Sequence, residues 1–224
     1  MPGAVPPRRR PRHQLSDEVA ELLRERVLTG RMRAGRHLHL ERLAEEIGVS
    51  VTPVREALLT LRGEGFVELE PRRGFTVLPL RRQDVADANE LHASLGGELT
   101  ARSATRIDVA QLASLESVQA DLEHATRFGI GDAAELDRRF HDAIYEVAAA
   151  EKLTWFLRLA GRYLPPGLAA GTGPAELTGA QHREILRALR NRDPEQARRA
   201  MHEHLARTGR LLLENLDRQG RWQE

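Results

Sequence analysis

Residues 40–77 read LERLAEEIGVSVTPVREALLTLRGEGFVELEPRRGFTV. Leu40, Leu43, Ala44 and Ile47 recur at helical spacing, and Gly48 follows as a residue able to take positive φ and stop the helix. Ser50 is placed to cap a second helix through its side-chain oxygen, with Pro53 in a first turn where a missing N–H costs little. Val54, Ala57, Leu58 and Leu61 make the inner stripe of that helix, while Thr52, Arg55 and Arg62 lie on its outer face. Phe66, Val67 and Leu69, then Phe75, Val77 and Leu78, predict two short strands joined through Pro71, Arg72, Arg73 and Gly74. Upstream, a helix after Ser16 carries Val19, Leu22, Leu23 and Val27 on one face and closes at Gly30. Together these pieces predict a winged helix–turn–helix over residues 14–79. A second helix with an apolar inner face and Arg and Thr outside is what a DNA major groove accepts, and a basic hairpin tip suits the phosphate backbone. The candidate DNA contacts on these grounds are Thr52, Arg55 and Arg62 on the helix and the tip residues Arg72, Arg73 and Gly74.

The 224 residues leave room for one large domain or two modest ones. The net charge of +1 hides an asymmetry: 16 basic and 11 acidic residues precede Asp84, against 18 and 22 from there on. A basic first third beside an acidic remainder fits a nucleic-acid module joined to a domain with another task. Cysteine is absent, which excludes disulfides, thiolate catalysis and Cys-based zinc sites. No secretory leader and no membrane-length apolar run is visible, so a cytoplasmic location is expected. Residues 1–13 hold Arg8, Arg9, Arg10 and Arg12 among prolines and read as a disordered basic tail that adds salt-sensitive attraction to phosphate.

Beyond a short connector at 80–83 the pattern becomes helical only. Helices are expected near 84–104, 108–127, 132–149, 151–163, 175–191 and 194–217. Breaks fall at Gly129 and Gly131, at Pro165-Pro166-Gly167, at Gly171-Thr172-Gly173-Pro174 and at Asp193-Pro194, with Asp193 as N-cap of the last helix. The fold class expected is mainly α, with a C-terminal all-helical antiparallel bundle over 84–218.

This bundle contains polar residues at core positions. Asp137 and His141 are four apart, on one helical face with Ala134, Ile144 and Ala148. His182 is in line with Ile185, Leu186 and Leu189, and His204 with Ala197, Ala200 and Leu211, whereas His202 falls on the wet side. A buried carboxylate needs a positive partner that neutral imidazoles do not supply. A divalent cation would neutralise Asp137 and take lone pairs from His141, His182 and His204, leaving an open position for water or an anionic ligand.

The segments LAEEIGVSVTPVREAL and LRGEGFVEL, with Asp137-x3-His141, His182 and His204, resemble the GntR family of bacterial transcription regulators, in its FadR-like branch with an all-helical FCD effector domain. That resemblance implies a homodimer that binds a palindromic operator in double-stranded DNA, with Ser50, Thr52 and Arg55 at the start of its recognition helix and Arg72, Arg73 and Gly74 at its wing tip; the leading reading is a ligand-responsive repressor. It also implies an FCD domain that holds Zn²⁺, with Ni²⁺ or Mn²⁺ as alternatives, and senses a small carboxylate metabolite. Two departures bear on function. Val51 stands where the family has an arginine, which points to an unusual operator, and His92 and Gly96 stand where it has Arg and Glu, which makes His92 the candidate effector-binding residue. Two other readings stay open at this level: a metal-free sensor with a structural histidine cluster, and a metal-dependent hydrolase fused to a DNA anchor.

Overall fold

The computed structural model describes residues 12–164 and 175–222. The expected tail lies outside them apart from Arg12 and His13, and so do the breaks expected at 165–174. The order of elements is α1 (Arg12–Leu28), β1 (His37–Leu38), α2 (Leu40–Ile47), α3 (Val51–Gly63), β2 (Val67–Glu70) and β3 (Gly74–Val77), then α4 (Arg82–Arg106), α5 (Val109–Phe128), α6 (Ala133–Ala148), α7 (Glu151–Gly161), α8 (Ala175–Arg190) and α9 (Pro194–Arg218). The chain divides into two compact units between Leu80 and Arg81.

In the first unit α1 packs on α3, and Leu23, Val54, Leu58, Leu61 and Phe66 are buried between the helices and the sheet. The sheet has the antiparallel order β1-β3-β2, with Leu69 opposite Phe75 and Glu70 opposite Gly74. Two details differ from the sequence expectation. Helix α1 begins four residues before Ser16, and β1 adds a third strand through His37↔Thr76 and Leu38↔Phe75. A two-residue strand has no periodicity to read, so it exists only because β3 offers a free edge. Arg24 on α1 and Glu64 at the end of α3 form a bidentate pair, 2.8 Å on each arm, with side chains only 6% and 8% exposed. That buried pair ties the end of α3 to α1, and breaking such a pair is far costlier than losing a surface one.

In the second unit six helices form the bundle among the described residues, around Leu99, Leu115, Phe140, Ile144, Ile185, Leu189 and Met201. Residues 82–83, read as connector, form the first turn of α4, where the Arg81 N–H donates to Asp84 Oδ2 at 2.8 Å. Asp193 caps α9 as expected, accepting from the Gln196 N–H at 2.9 Å with Pro194 following it. The most extensive packing is that of α4 along α9. Glycines permit this approach: a Cβ on Gly97 would stand 2.9 Å from the Arg198 carbonyl oxygen, and one on Gly209 would stand 1.8 Å from Asn89 Oδ1. This close pairing of α4 and α9 helps frame the site below.

Candidate DNA-reading face and metal centre

Each unit carries one candidate site. In the first, Gly48 takes φ 79° and its N–H reaches the Ala44 and Glu45 carbonyls, so the chain reverses tightly from α2 into α3. The first helix is thereby fixed across the start of the second, the arrangement in which the second can enter a groove. Thr52, Arg55 and Arg62 are exposed on the outer face of α3, as their spacing predicts. Leu59 shares that exposed side.

Ser50 corrects an expectation. It occupies the N-cap position with extended backbone, but its side chain makes no capping bond. The N-cap oxygen bonds to the second or third helical N–H, and the third residue here is Pro53, which has none. The same proline that suits the first turn removes the third-position donor and leaves the Thr52 N–H as the one remaining candidate, which the Ser50 side chain does not engage. The wing tip is exposed at Arg72 and Arg73, while Gly74 is half-buried. Arg72 takes φ 65° and Gly74 φ 87°, so the turn uses left-handed backbone twice, and Arg73 pairs weakly with Glu70 at 3.4 Å.

In the second unit α6, α8 and α9 bring His141, His182 and His204 together. His204 Nε2 lies 3.2 Å from His141 Nε2 and 3.3 Å from His182 Nε2. Phe140, fully buried, stacks its ring on His182 at 4.2 Å between centroids and 9° between planes, which fixes the imidazole plane. Burial pushes His141 and His204 down to about 3 and His182 well below its ordinary value, so all three imidazoles are neutral near pH 7 and offer lone pairs. A tetrahedral cation with bonds of about 2.1 Å sets its nitrogens about 3.4 Å apart, and an octahedral one about 3.0 Å. The observed separations fall between these values, so the donor set fits a first-row divalent ion.

Asp137 requires a second correction. Its Oδ1 lies 3.6 Å from His182 Nε2 and its Oδ2 4.0 Å from His141 Nε2, but the side chain is 41% exposed. It is a rim carboxylate rather than a buried one. Ala134, one turn earlier, is also exposed, and the buried residues of α6 begin only at Phe140. Burial still raises the Asp137 carboxyl, opposed by His204. His92 on α4 is half-buried, and burial pushes it down to about 4. It rests against Gly161 and is close enough for its charge to disfavour protonation of His141 and His204. Gly96 is closed in: a Cβ there would stand 2.4 Å from Leu205 Cδ1 and 3.2 Å from the Tyr145 hydroxyl. His202 is on the wet side as expected, 3.0 Å from Glu90.

Sequence reasoning missed the residues that hold the other ring nitrogens. His182 Nδ1 lies 2.8 Å from Gln119 Oε1, His204 Nδ1 3.3 Å from Gln181 Oε1, and His141 Nδ1 3.5 Å from the Tyr145 hydroxyl. Such partners orient metal-binding imidazoles. A signal existed for Gln119, which is the polar residue of the stripe Leu115, Gln119, Leu122.

Residues 15–77 match the family of bacterial regulatory proteins called gntR, and residues 87–207 match the FCD domain. The chain belongs to the GntR family and carries an FCD domain. The regulator is 32% identical, over 88% of its length and 82% of the relative, to an HTH-type transcriptional regulator in an unstable DNA locus of Streptomyces ambofaciens. It is 27% identical to the HTH-type transcriptional regulator McbR of Escherichia coli K12, over 91% and 95% of the two chains. The HTH-type transcriptional repressor RspR of the same organism is 25% identical over 87% of each. Among solved structures, E. coli McbR/YncC superimposes with a TM-score of 0.67 at 26% identity, covering 90% of this chain and 98% of that one. The regulator is therefore a DNA-binding transcriptional regulator and not an enzyme, and no helix among its described residues is long and apolar enough to cross a membrane.

Proposed function

We propose that this regulator is a cytoplasmic, homodimeric repressor that leaves its palindromic operator when a small carboxylate metabolite occupies the FCD unit beside a divalent cation. The observation that carries the reading is the convergence of three neutral imidazole nitrogens, 3.2–3.3 Å along the two measured edges, with the Asp137 carboxylate at the rim. Asp137, His141, His182 and His204 would hold the cation, Zn²⁺ first and Ni²⁺ or Mn²⁺ as alternatives. When bound, the ion supplies the positive charge that a carboxylate effector seeks at an open position. His92 is the adjacent group suited to hydrogen-bond that effector. A repressor role is supported by the 25% identity to RspR.

On the DNA side, Thr52, Arg55 and Arg62 face outward for the major groove, and Arg72, Arg73 and Gly74 form a wing tip for phosphate. The Ser50 hydroxyl, not used in capping, is available to a phosphate oxygen. A dimer sets two such helices about one DNA turn apart. The effector can shift operator affinity only through different affinities for the DNA-competent and DNA-incompetent forms of the bundle.

Two measurements test this. Protein purified without a polyhistidine tag should carry about one divalent ion per chain by elemental analysis. His141→Ala should keep operator binding and lose release by the small molecule that co-purifies with the native regulator. A variant that still responds fully would sink the coupling. Absence of metal would favour the second reading, a structural histidine cluster, since separations of 3.2–3.3 Å also suit N–H···N bonds.

A further inference from the structure

Gln119 on α5 is 4% exposed, near Leu115, Val118 and Leu122 of the same helix. Its amide is held at both ends. Nε2 donates to Glu123 Oε1 at 2.9 Å, and Oε1 stands 2.8 Å from His182 Nδ1. Glu123 also receives the Arg183 guanidinium, so its ionised carboxylate offers only acceptors. The donating end of the Gln119 amide must therefore face Glu123, and the accepting end must face His182. A carbonyl oxygen at 2.8 Å requires the proton on His182 Nδ1. A neutral imidazole has one N–H, so His182 Nε2 keeps its lone pair, and that atom lies 3.3 Å from His204 Nε2 and 3.6 Å from Asp137 Oδ1.

We propose that the Glu123–Gln119 pair locks His182 in its Nδ1–H tautomer, so that Nε2 is ready to coordinate before any cation arrives. Gln119 is a positioning residue, acting through His182. The three imidazoles are unequal in this respect. Tyr145 offers His141 a hydroxyl that can donate or accept, and Gln181 reaches His204 at the longer distance of 3.3 Å, without a second clamp like Glu123 on its amide among the described hydrogen bonds. Among the described hydrogen bonds, only His182 of the three has a partner whose own direction is dictated. Without it, the ring is free to place its proton on Nε2, where a cation must displace it.

The link to metal affinity rests on the function proposed above, whereas the tautomer does not, and the test separates them. Full-length regulator labelled with ¹⁵N-histidine and stripped with a chelator is studied at pH 7.5 by long-range ¹H–¹⁵N correlation. The expected result is His182 in the Nδ1–H form in the native sequence and shifted toward Nε2–H in Gln119→Leu. Zn²⁺ affinity, measured by competition calorimetry, should fall about ten- to a hundred-fold in that variant. Glu123→Lys, a surface change that presents donors to Gln119 and turns its amide round, should move His182 the same way and keeps the test open if Gln119→Leu fails to fold. Finding Nε2–H in the native protein, or Nδ1–H retained in every folded variant, overturns the lock. Correct tautomers with no Zn²⁺ binding would overturn the metal reading and leave the lock standing.

Discussion

The two units treat their polar side chains in opposite ways. In the first, Thr52, Arg55, Arg62 and Arg72 are exposed, on a helix face and a wing tip whose backbone is tightly set. In the second, His182 and His204 are 0% and 4% exposed, and each ring has a partner on its second nitrogen. A surface that must meet DNA can leave its side chains free, because the partner supplies acceptors and the rotamer entropy is lost only on binding. The ion site proposed for the second unit needs its donors aimed in advance, since a misplaced lone pair cannot be corrected from solvent. Rigidity thus lies in the backbone of the DNA-binding unit and in the side chains of the FCD unit.

The sharpest way to break that contrast is to loosen the FCD unit from within. Phe140→Ala removes the ring stacked on His182 and should cost about 3–5 kcal/mol of stability in the second unit, measured by urea unfolding. Trp155 and Trp222 both belong to that unit, so tryptophan fluorescence follows it. A loss below about 1 kcal/mol would mean that the ring is not a core element.

Acid should act on the same unit. His141 and His204 stay neutral in the fold down to about pH 3, while in the unfolded chain they take protons below about 6.5. The unfolded state therefore binds more protons as pH falls from 6.5 toward 3, and metal-free protein should lose stability through that window. The raised carboxyl of Asp137 works in the opposite direction at the acid end. Stability that stays flat between pH 6.5 and 4.5 would show that the imidazoles are not buried as neutral groups.

Changes in the reader should leave stability almost untouched and register only on DNA. Arg55→Ala should weaken operator binding by about 1–3 kcal/mol; loss of preference at one base pair marks a base contact, and a uniform loss marks a phosphate contact. The smallest effect is expected for Arg73→Ala. Its weak pair with Glu70 is exposed, and the change should lower the slope of log affinity against log salt by about 1 without altering sequence preference. An unchanged slope would remove the wing from the interface.

Much of this was legible in the chain. The helix–turn–helix follows from local signals, namely a glycine directly after the Leu40–Ile47 stripe, apolar residues at three- and four-residue spacing, and a basic hairpin tip. Asp137 and His141 share a face because they are one turn apart, and His182 and His204 are in phase with their own apolar stripes. Expectations failed where a local rule met another constraint. Ser50 makes no cap bond where Pro53 has removed one of the two alternative donors, and Asp137 lies at the rim because the buried residues of α6 begin only at Phe140. The strand His37–Leu38 was invisible because its reason to exist is the edge of β3.

The sequence by itself determined the family, the two-unit plan and which helix face each candidate residue occupies, since these depend on periodicities a few residues long. Only the tertiary structure decided that the three imidazoles meet at 3.2–3.3 Å, across sequence separations of 63 and 22 residues, and that Gln119 reaches His182 across another 63. Which nitrogen bears the proton depends on a partner brought close only by helix packing, so no reading of one helix at a time reveals it.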